Sequence, residues 1–174
     1  MELLNLEIST PHLLIKPIDP EYLEVIFQEF TPEVATYLYH TPTGKITDTE
    51  IFINKSVLDM EKGDHLVVVI LRKDSQEFLG CSGINDIKTK YPQTGLWLKK
   101  SVHGQGYGTE TITALKKWAD QNLDYEYLRY PVDQANIASR RIPEKLGGYI
   151  VKEYDHTNLA GRVLNILEYG IPKN

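Results

Sequence analysis

Six consecutive apolar residues, Leu66–Leu71, form the longest purely apolar run of the chain. A run that short predicts a buried strand rather than a membrane span, which needs ~20 residues. It sits inside "HLVVVILR" (His65–Arg72), is followed by the polar turn "KDSQ", and returns as "EFLGCSGIND" (Glu77–Asp86). The pattern predicts a β-hairpin. A third strand, "TGLWLK", follows at Thr94–Lys99.

The N-terminal third reads differently. Leu3–Ile8 and His12–Pro17 suit two short strand pieces around the "STP" break. Leu23, Ile26, Phe27 and Phe30 are spaced for one face of a helix that begins near Pro20, a residue tolerated in a first turn. Thr31-Pro32 opens a new segment, and Thr41–Gly44 suits a loop. Thr47 with Glu50 three residues on predicts the capped start of a second helix, ending near Lys62 before Gly63. In the C-terminal half, Ile112, Leu115, Trp118 and Ala119 mark a helix from Thr109. "YEYLRYPVD" is a strand, "NIASRRIPEKLGG" a shorter helix, and "YIVKEY" and "VLNILEYGI" two final strands. The hairpin over 65–88 and the paired strands at the C-terminus argue against a parallel sheet of βαβ units and fit an α+β fold.

Composition narrows the function classes. With 174 residues and no charge block, linker or repeat, the chain is expected to form one domain over 1–174. A formal net charge of −5 disfavours nucleic acid and mildly favours cationic partners such as amines. Tyr125, Tyr127 and Tyr130 could form a stacking platform, but tyrosine is common in strands and little basic charge surrounds them. Cys81 is the single cysteine, which excludes an intrachain disulfide and predicts a packed strand residue. The five histidines show no metal-ligand spacing, so no metal is expected. An acidic start and no signal-like stretch predict a cytoplasmic location away from membranes.

The segment with the strongest chemical signal is "SVHGQGYGTE", Ser101–Glu110. A strand, a tight glycine turn and a helix start together form an anion site. The first helical amides lack partners, the helix dipole adds positive charge, and glycine allows close approach and positive φ. Gly104, Gly106 and Gly108 are spaced G-x-G-x-G, which is neither the dinucleotide fingerprint nor a Walker loop. By itself the loop is either a structural turn or a phosphate cradle.

"GLWLKKSVHGQGYGTE" followed about thirty residues later by "NIASRRIPEKLGG" resembles the GNAT superfamily of acyl-CoA-dependent N-acetyltransferases, in particular its RimJ/RimL-like branch. The resemblance spans the chain. It implies a mixed, mostly antiparallel central sheet flanked by helices on both faces, acetyl-CoA as co-substrate and an amine acceptor, with dimers frequent. Against the family's [QR]-x-x-G-x-[GA] motif the chain has His103-Gly104-Gln105-Gly106-Tyr107-Gly108, with histidine at the first position. The implied CoA contacts are Trp97 and Leu98 on the strand, His103, Gly104, Gln105, Gly106, Tyr107, Gly108 and Thr109 in the loop, and Asn136 and Ser139 in the second segment.

Several of these residues have a second reading. Asn136 is placed either on the pantetheine arm or as an N-cap. Ser139 either gives a proton to the departing thiolate or bonds a helix carbonyl. Pro143 stands where many relatives have a tyrosine acid, so that acid is absent here, and a bend is expected at Ser139. Arg140, Arg141 and Lys145 could reach the nucleotide phosphate or simply be solvated.

The resemblance implies that the backbone N–H near Leu98 meets the developing oxyanion, freed by a strand irregularity. At pH 7 about one α-amine in six is neutral, against roughly one lysine in 2,500, so only a lysine-type acceptor needs a strong base. Asp86 is the best-placed candidate base, with a turn role as its alternative, and Glu153, Asp155 and His156 could line the acceptor cleft. The expected activity is acetyl transfer to a primary amine, from a protein N-terminus or a small molecule. The alternative is an acyl-CoA-binding module that has lost its chemistry.

Overall fold

The computed structural model describes residues 1–174. Two strands at the N-terminus, β1 (Ile8–Ser9) and β2 (Leu13–Pro17), precede α1 (Leu23–Glu29) and α2 (Ile46–Lys62). The central strands β3 (Leu66–Arg72), β4 (Phe78–Asn85) and β5 (Gln93–Leu98) lead into α3 (Tyr107–Asn122). β6 (Tyr127–Asp133), α4 (Ile137–Lys145), β7 (Tyr149–Thr157) and β8 (Val163–Pro172) complete the chain. All eight strands form one sheet in the order β1-β2-β3-β4-β5-β6-β8-β7. Every pairing is antiparallel except β5 with β6. No helix is long and apolar enough to cross a membrane.

Helices cover both faces, and β5 shows how. Trp97 stacks on Phe30, just after α1, with ring centroids 5.1 Å apart. A Cβ on Gly108 of α3 would stand 3.4 Å from Leu96 and 3.9 Å from Leu98. Successive strand residues point to opposite faces, so α1 and α3 lie on opposite sides of the sheet. The core is continuous through the sheet, with Val68, Ile84, Ile112, Leu115, Leu128 and Ile171 each fully buried.

Several element boundaries differ from expectation for local reasons. Leu3–Asn5 is a single 3-10 turn that buries Leu3 against α2, which leaves a two-residue strand at Ile8–Ser9. Thr47 does not cap α2. The helix begins at Ile46, two residues earlier than a Thr47 cap would start it, and Thr43 instead takes the Lys45 N–H and donates to Asp48. Gly63 ends α2 in the left-handed conformation. α3 starts at Tyr107 rather than Thr109, because Gly106 turns the chain with φ +84°. Tyr125 and Tyr130 are buried and Tyr127 packs on Tyr91, so the three tyrosines present no stacking platform. Cys81 is buried in β4, where desolvation pushes its thiol pKa up.

Candidate active site

The site grows from one irregularity of the sheet. β5 and β6 are registered only at Gln93 and Arg129, where the Arg129 N–H donates to the Pro92 carbonyl at 2.7 Å. Further along, β5 stays on β4 and β6 stays on β8, and the two strands part. The Lys99 N–H donates to the Leu79 carbonyl at 2.8 Å, which fixes the parity of β5. Alternate amides therefore face the other way, and the N–H groups of Leu96 and Leu98 point into the gap. The register from Asn85–Gln93 to Gly80–Leu98 is regular, so the expected strand irregularity is absent. The divergence of β6 turns these amides into donors toward the gap.

The glycine turn closes one end of that gap. Gly104 and Gly106 both have positive φ, +76° and +84°, and a Cβ on either would meet nothing within 4 Å. Their glycine identity is thus a matter of backbone conformation and close approach rather than packing. No side chain caps α3, leaving the Tyr107, Gly108 and Thr109 amides as orphan donors at the positive end of the dipole. Gly108 has a different task. A Cβ there would stand 3.1 Å from Ile142, so α3, α4 and β5 close up around it. Tyr107 is fixed from behind, its hydroxyl accepting from the Arg72 guanidinium at 2.5 Å. The Gln105 side chain reaches back to the Ser101 carbonyl at 3.5 Å. The His103 ring also turns back, its Nε2 2.7 Å from the Leu98 carbonyl.

α4 forms the opposite lip. Asn136 caps it, its Oδ1 accepting the Ser139 N–H at 3.3 Å, and its Nδ2 has no partner in the protein. Ser139 lies three residues before Ile142 and so shares the helix face that meets Gly108 and β5. Its Oγ lies 2.7 Å from the Tyr130 hydroxyl. Pro143 does not interrupt α4, which runs unbroken from Ile137 to Lys145. The Gly148 and Leu146 amides donate to the Pro143 carbonyl, and Tyr169 donates to Glu144, so the end of the helix is secured beyond the proline. Arg140 is committed to the Gln134 carbonyl and the Tyr169 hydroxyl. Arg141 and Lys145 are exposed.

On the other face of the sheet the gap opens into a cleft of about 690 Å³. Its floor is Gly95, Leu96, Trp97, Pro131 and Val132, and its walls include Phe30, Tyr37, Tyr39, Phe52, Tyr154 and His156. The tip of the β7–β8 hairpin holds one wall. Asn158 is buried, donates to the Leu38 carbonyl at 3.1 Å and accepts the Ala160 and Arg162 amides. Tyr39 packs on His156 at 4.6 Å. A separate depression of about 640 Å³ between Lys16–Tyr22 and α2 does not adjoin the glycine turn.

This geometry sorts the residues singled out in the sequence. The glycine turn, Asn136, Ser139 and the Leu98 amide come together around the gap. Trp97 faces the cleft with Phe30, on the face opposite the turn. Asp86 stays outside the cleft lining, in a left-handed turn position with φ +56° and its carboxylate 3.3 Å from Arg129. Of the late-strand candidates only His156 lines the cleft, because β7 alternates and Glu153 and Asp155 point away. Two groups were not foreseen. Tyr154 lines the cleft and donates to the buried Glu168 at 3.4 Å, and burial followed by that carboxylate raises its pKa. Tyr130 is the other. The alternation of "YIVKEYDHT" could have pointed to Tyr154, but only the register of β7 on β8, with Lys152 opposite Glu168 and Tyr154 opposite Ile166, brings Glu168 beside it.

An acetyltransferase (GNAT) domain model matches residues 12–148, and the chain belongs to that family. The fold is shared with RimL, a ribosomal L7/L12 alpha-N-protein acetyltransferase in complex with coenzyme A, at a TM-score of 0.85 and 17% identity over 96% of this chain and 98% of that one. A GNAT-family acetyltransferase from Bacillus anthracis superposes at 0.81 with 16% identity, covering 97% and 99% of the two chains. A GCN5-related N-acetyltransferase from Brucella melitensis gives 0.79 with 15% identity over 97% and 79%. No curated protein sequence matches this chain.

Proposed function

We propose that this protein transfers an acetyl group from acetyl-CoA to a primary amine, a protein N-terminal α-amine or a small-molecule amine, by direct attack. The observation that carries the reading is the uncapped start of α3, with two left-handed glycines, set beside a gap into which strand amides point. A pyrophosphate needs close backbone donors and no side chain in the way, and Gly104 and Gly106 leave that space open.

Acetyl-CoA supplies an acyl thioester that an amine can attack without a metal. The amides of Tyr107, Gly108 and Thr109 hold the pyrophosphate, and Asn136 offers its Nδ2 to the pantetheine arm. The Leu98 N–H faces the carbonyl oxygen as it gathers charge. Ser139 gives its proton to the leaving sulfur. The amine approaches through the aromatic cleft, which holds Trp97 on its floor. Asp86 takes no part, because Arg129 holds its carboxylate away from the cleft. An α-amine, about one in six neutral at pH 7, needs little help there.

Calorimetric titration with acetyl-CoA, using NADH as control, tests the cofactor half. Thiol release across a panel of amines tests the chemistry. Micromolar acetyl-CoA binding with amine-dependent thiol release is expected. Absence of acetyl-CoA binding would overturn the reading, and binding without release for any amine would leave an acyl-CoA-binding module.

A further inference from the structure

Tyr130 carries a polar atom into the core that acetyl transfer, as described so far, leaves without a task. The residue is 2% exposed on β6, and its hydroxyl meets one partner in the protein, Ser139 Oγ at 2.7 Å. Phenylalanine would fill the same space without a polar group to bury, and burying a hydroxyl costs free energy unless it is paired.

The direction of that hydrogen bond follows from what each proton could otherwise do. If Ser139 donated to Tyr130, the phenolic proton would have no acceptor in the core, which costs about 1–3 kcal/mol. If Tyr130 donates, its proton is satisfied and the Ser139 proton is free to turn outward. Ser139 is half-buried, on the side of α4 that meets Gly108 and the parting strands, so outward means toward the gap. Burial also pushes the Tyr130 pKa up to about 12 against the lowering effect of Ser139, so the phenol keeps its proton at neutral pH.

We propose that Tyr130 is a positioning residue that donates to Ser139 Oγ and so aims the Ser139 proton at the sulfur leaving through the gap. The inference rests on the acetyl-transfer reading. Ser139 passes its proton to the sulfur, which takes the electron pair of the breaking carbon–sulfur bond. The proton released by the acylated nitrogen restores the serine hydroxyl through water. Tyr130 keeps its own proton throughout and stabilises the charge that builds on Oγ.

A double-mutant cycle tests this on the full chain, with Tyr130→Phe, Ser139→Ala and both together. CoA affinity is measured by calorimetry, and kcat and acceptor KM by thiol release. Tyr130→Phe is expected to keep its CoA affinity and acceptor KM while kcat falls about tenfold, a small part of what a general acid contributes. Ser139→Ala falls further, and adding Tyr130→Phe to it changes nothing, since no serine remains to be aimed. Tyr130→Met repeats the test if the phenylalanine variant does not fold. A wild-type kcat in Tyr130→Phe, or a further tenfold fall in the double variant, would overturn the inference and leave acetyl transfer standing. A wild-type protein that binds no CoA or releases no thiol would overturn both.

Discussion

The imidazole of His103 reaches back to the carbonyl of Leu98, with Nε2 and oxygen 2.7 Å apart. A carbonyl can only accept, so Nε2 carries the proton. The bond ties the first position of the glycine turn to the end of β5, the strand whose Leu98 amide faces the gap. Histidine in place of the family's glutamine or arginine thus keeps a donor and fixes the turn against the strand. His103→Ala should weaken CoA binding about 2- to 10-fold, the loss of one ordinary hydrogen bond, with little change in melting temperature. His103→Gln should recover most of it. Calorimetric titration with CoA decides, and equal affinities in all three proteins would remove the turn-fixing role.

Gly106 is left-handed at φ +84° with open space around its Cβ position. A β-branched residue there meets no neighbour and fails for backbone reasons alone, since φ > 0 is strained for such side chains. Gly106→Val should abolish CoA binding while circular dichroism and the bulk of the thermal transition survive. Gly106→Asn, a residue that tolerates this conformation, should bind with intermediate affinity. Equal binding by the valine variant would show that the turn does not hold the pyrophosphate.

Trp97 provides a test that separates the two faces of the sheet. It stacks on Phe30 and floors the cleft, while the glycine turn lies on the opposite face. Trp97→Leu should raise the acceptor KM several-fold and leave CoA affinity within about twofold, because the apolar body lost is part of the acceptor wall. Steady-state kinetics beside CoA titration provide both numbers. A fall in CoA affinity with unchanged acceptor KM would return Trp97 to the cofactor.

What the sequence made legible was local. Hydrophobic period placed the hairpin of β3 and β4 and both C-terminal strands. The glycine spacing, with its resemblance, marked the turn, Asn136 and Ser139. The face a side chain takes depends on register, which pattern alone does not set. Trp97 and Leu98 are neighbours in sequence, yet the parity fixed by Lys99 and Leu79 sends Trp97 to the cleft and Leu98 to the opposite face. Asp86 looked well placed at a strand end, but a partner forty-three residues away, Arg129, decides where its carboxylate goes. Tyr130 read as an ordinary strand tyrosine, because its partner Ser139 lies on a helix that only the fold lays across β6.

Glu110 links the start of α3 to the other end of the sheet, and its ionisation should be visible in stability. Its carboxylate accepts from the Thr10 hydroxyl at 2.6 Å and the His12 amide at 2.9 Å, and meets His12 Nδ1 at 3.0 Å. Burial works against the charged form, but the Thr10 and His12 donors outweigh it and hold the pKa below the usual glutamate value. A depressed folded pKa means that the unfolded state binds the proton more tightly, so the stabilisation is full above the unfolded value near pH 4.3 and is lost as pH falls through the folded value. Glu110→Gln keeps a neutral acceptor and should therefore lower stability at pH 7 by about 1 kcal/mol, the difference between a hydrogen bond to a charged acceptor and one to a neutral acceptor. The gap between the two proteins should close on acidification below about pH 4.3. Urea unfolding of both proteins across that range measures it, and a difference that stays constant with pH would mean that the charge of Glu110 adds nothing to the clamp.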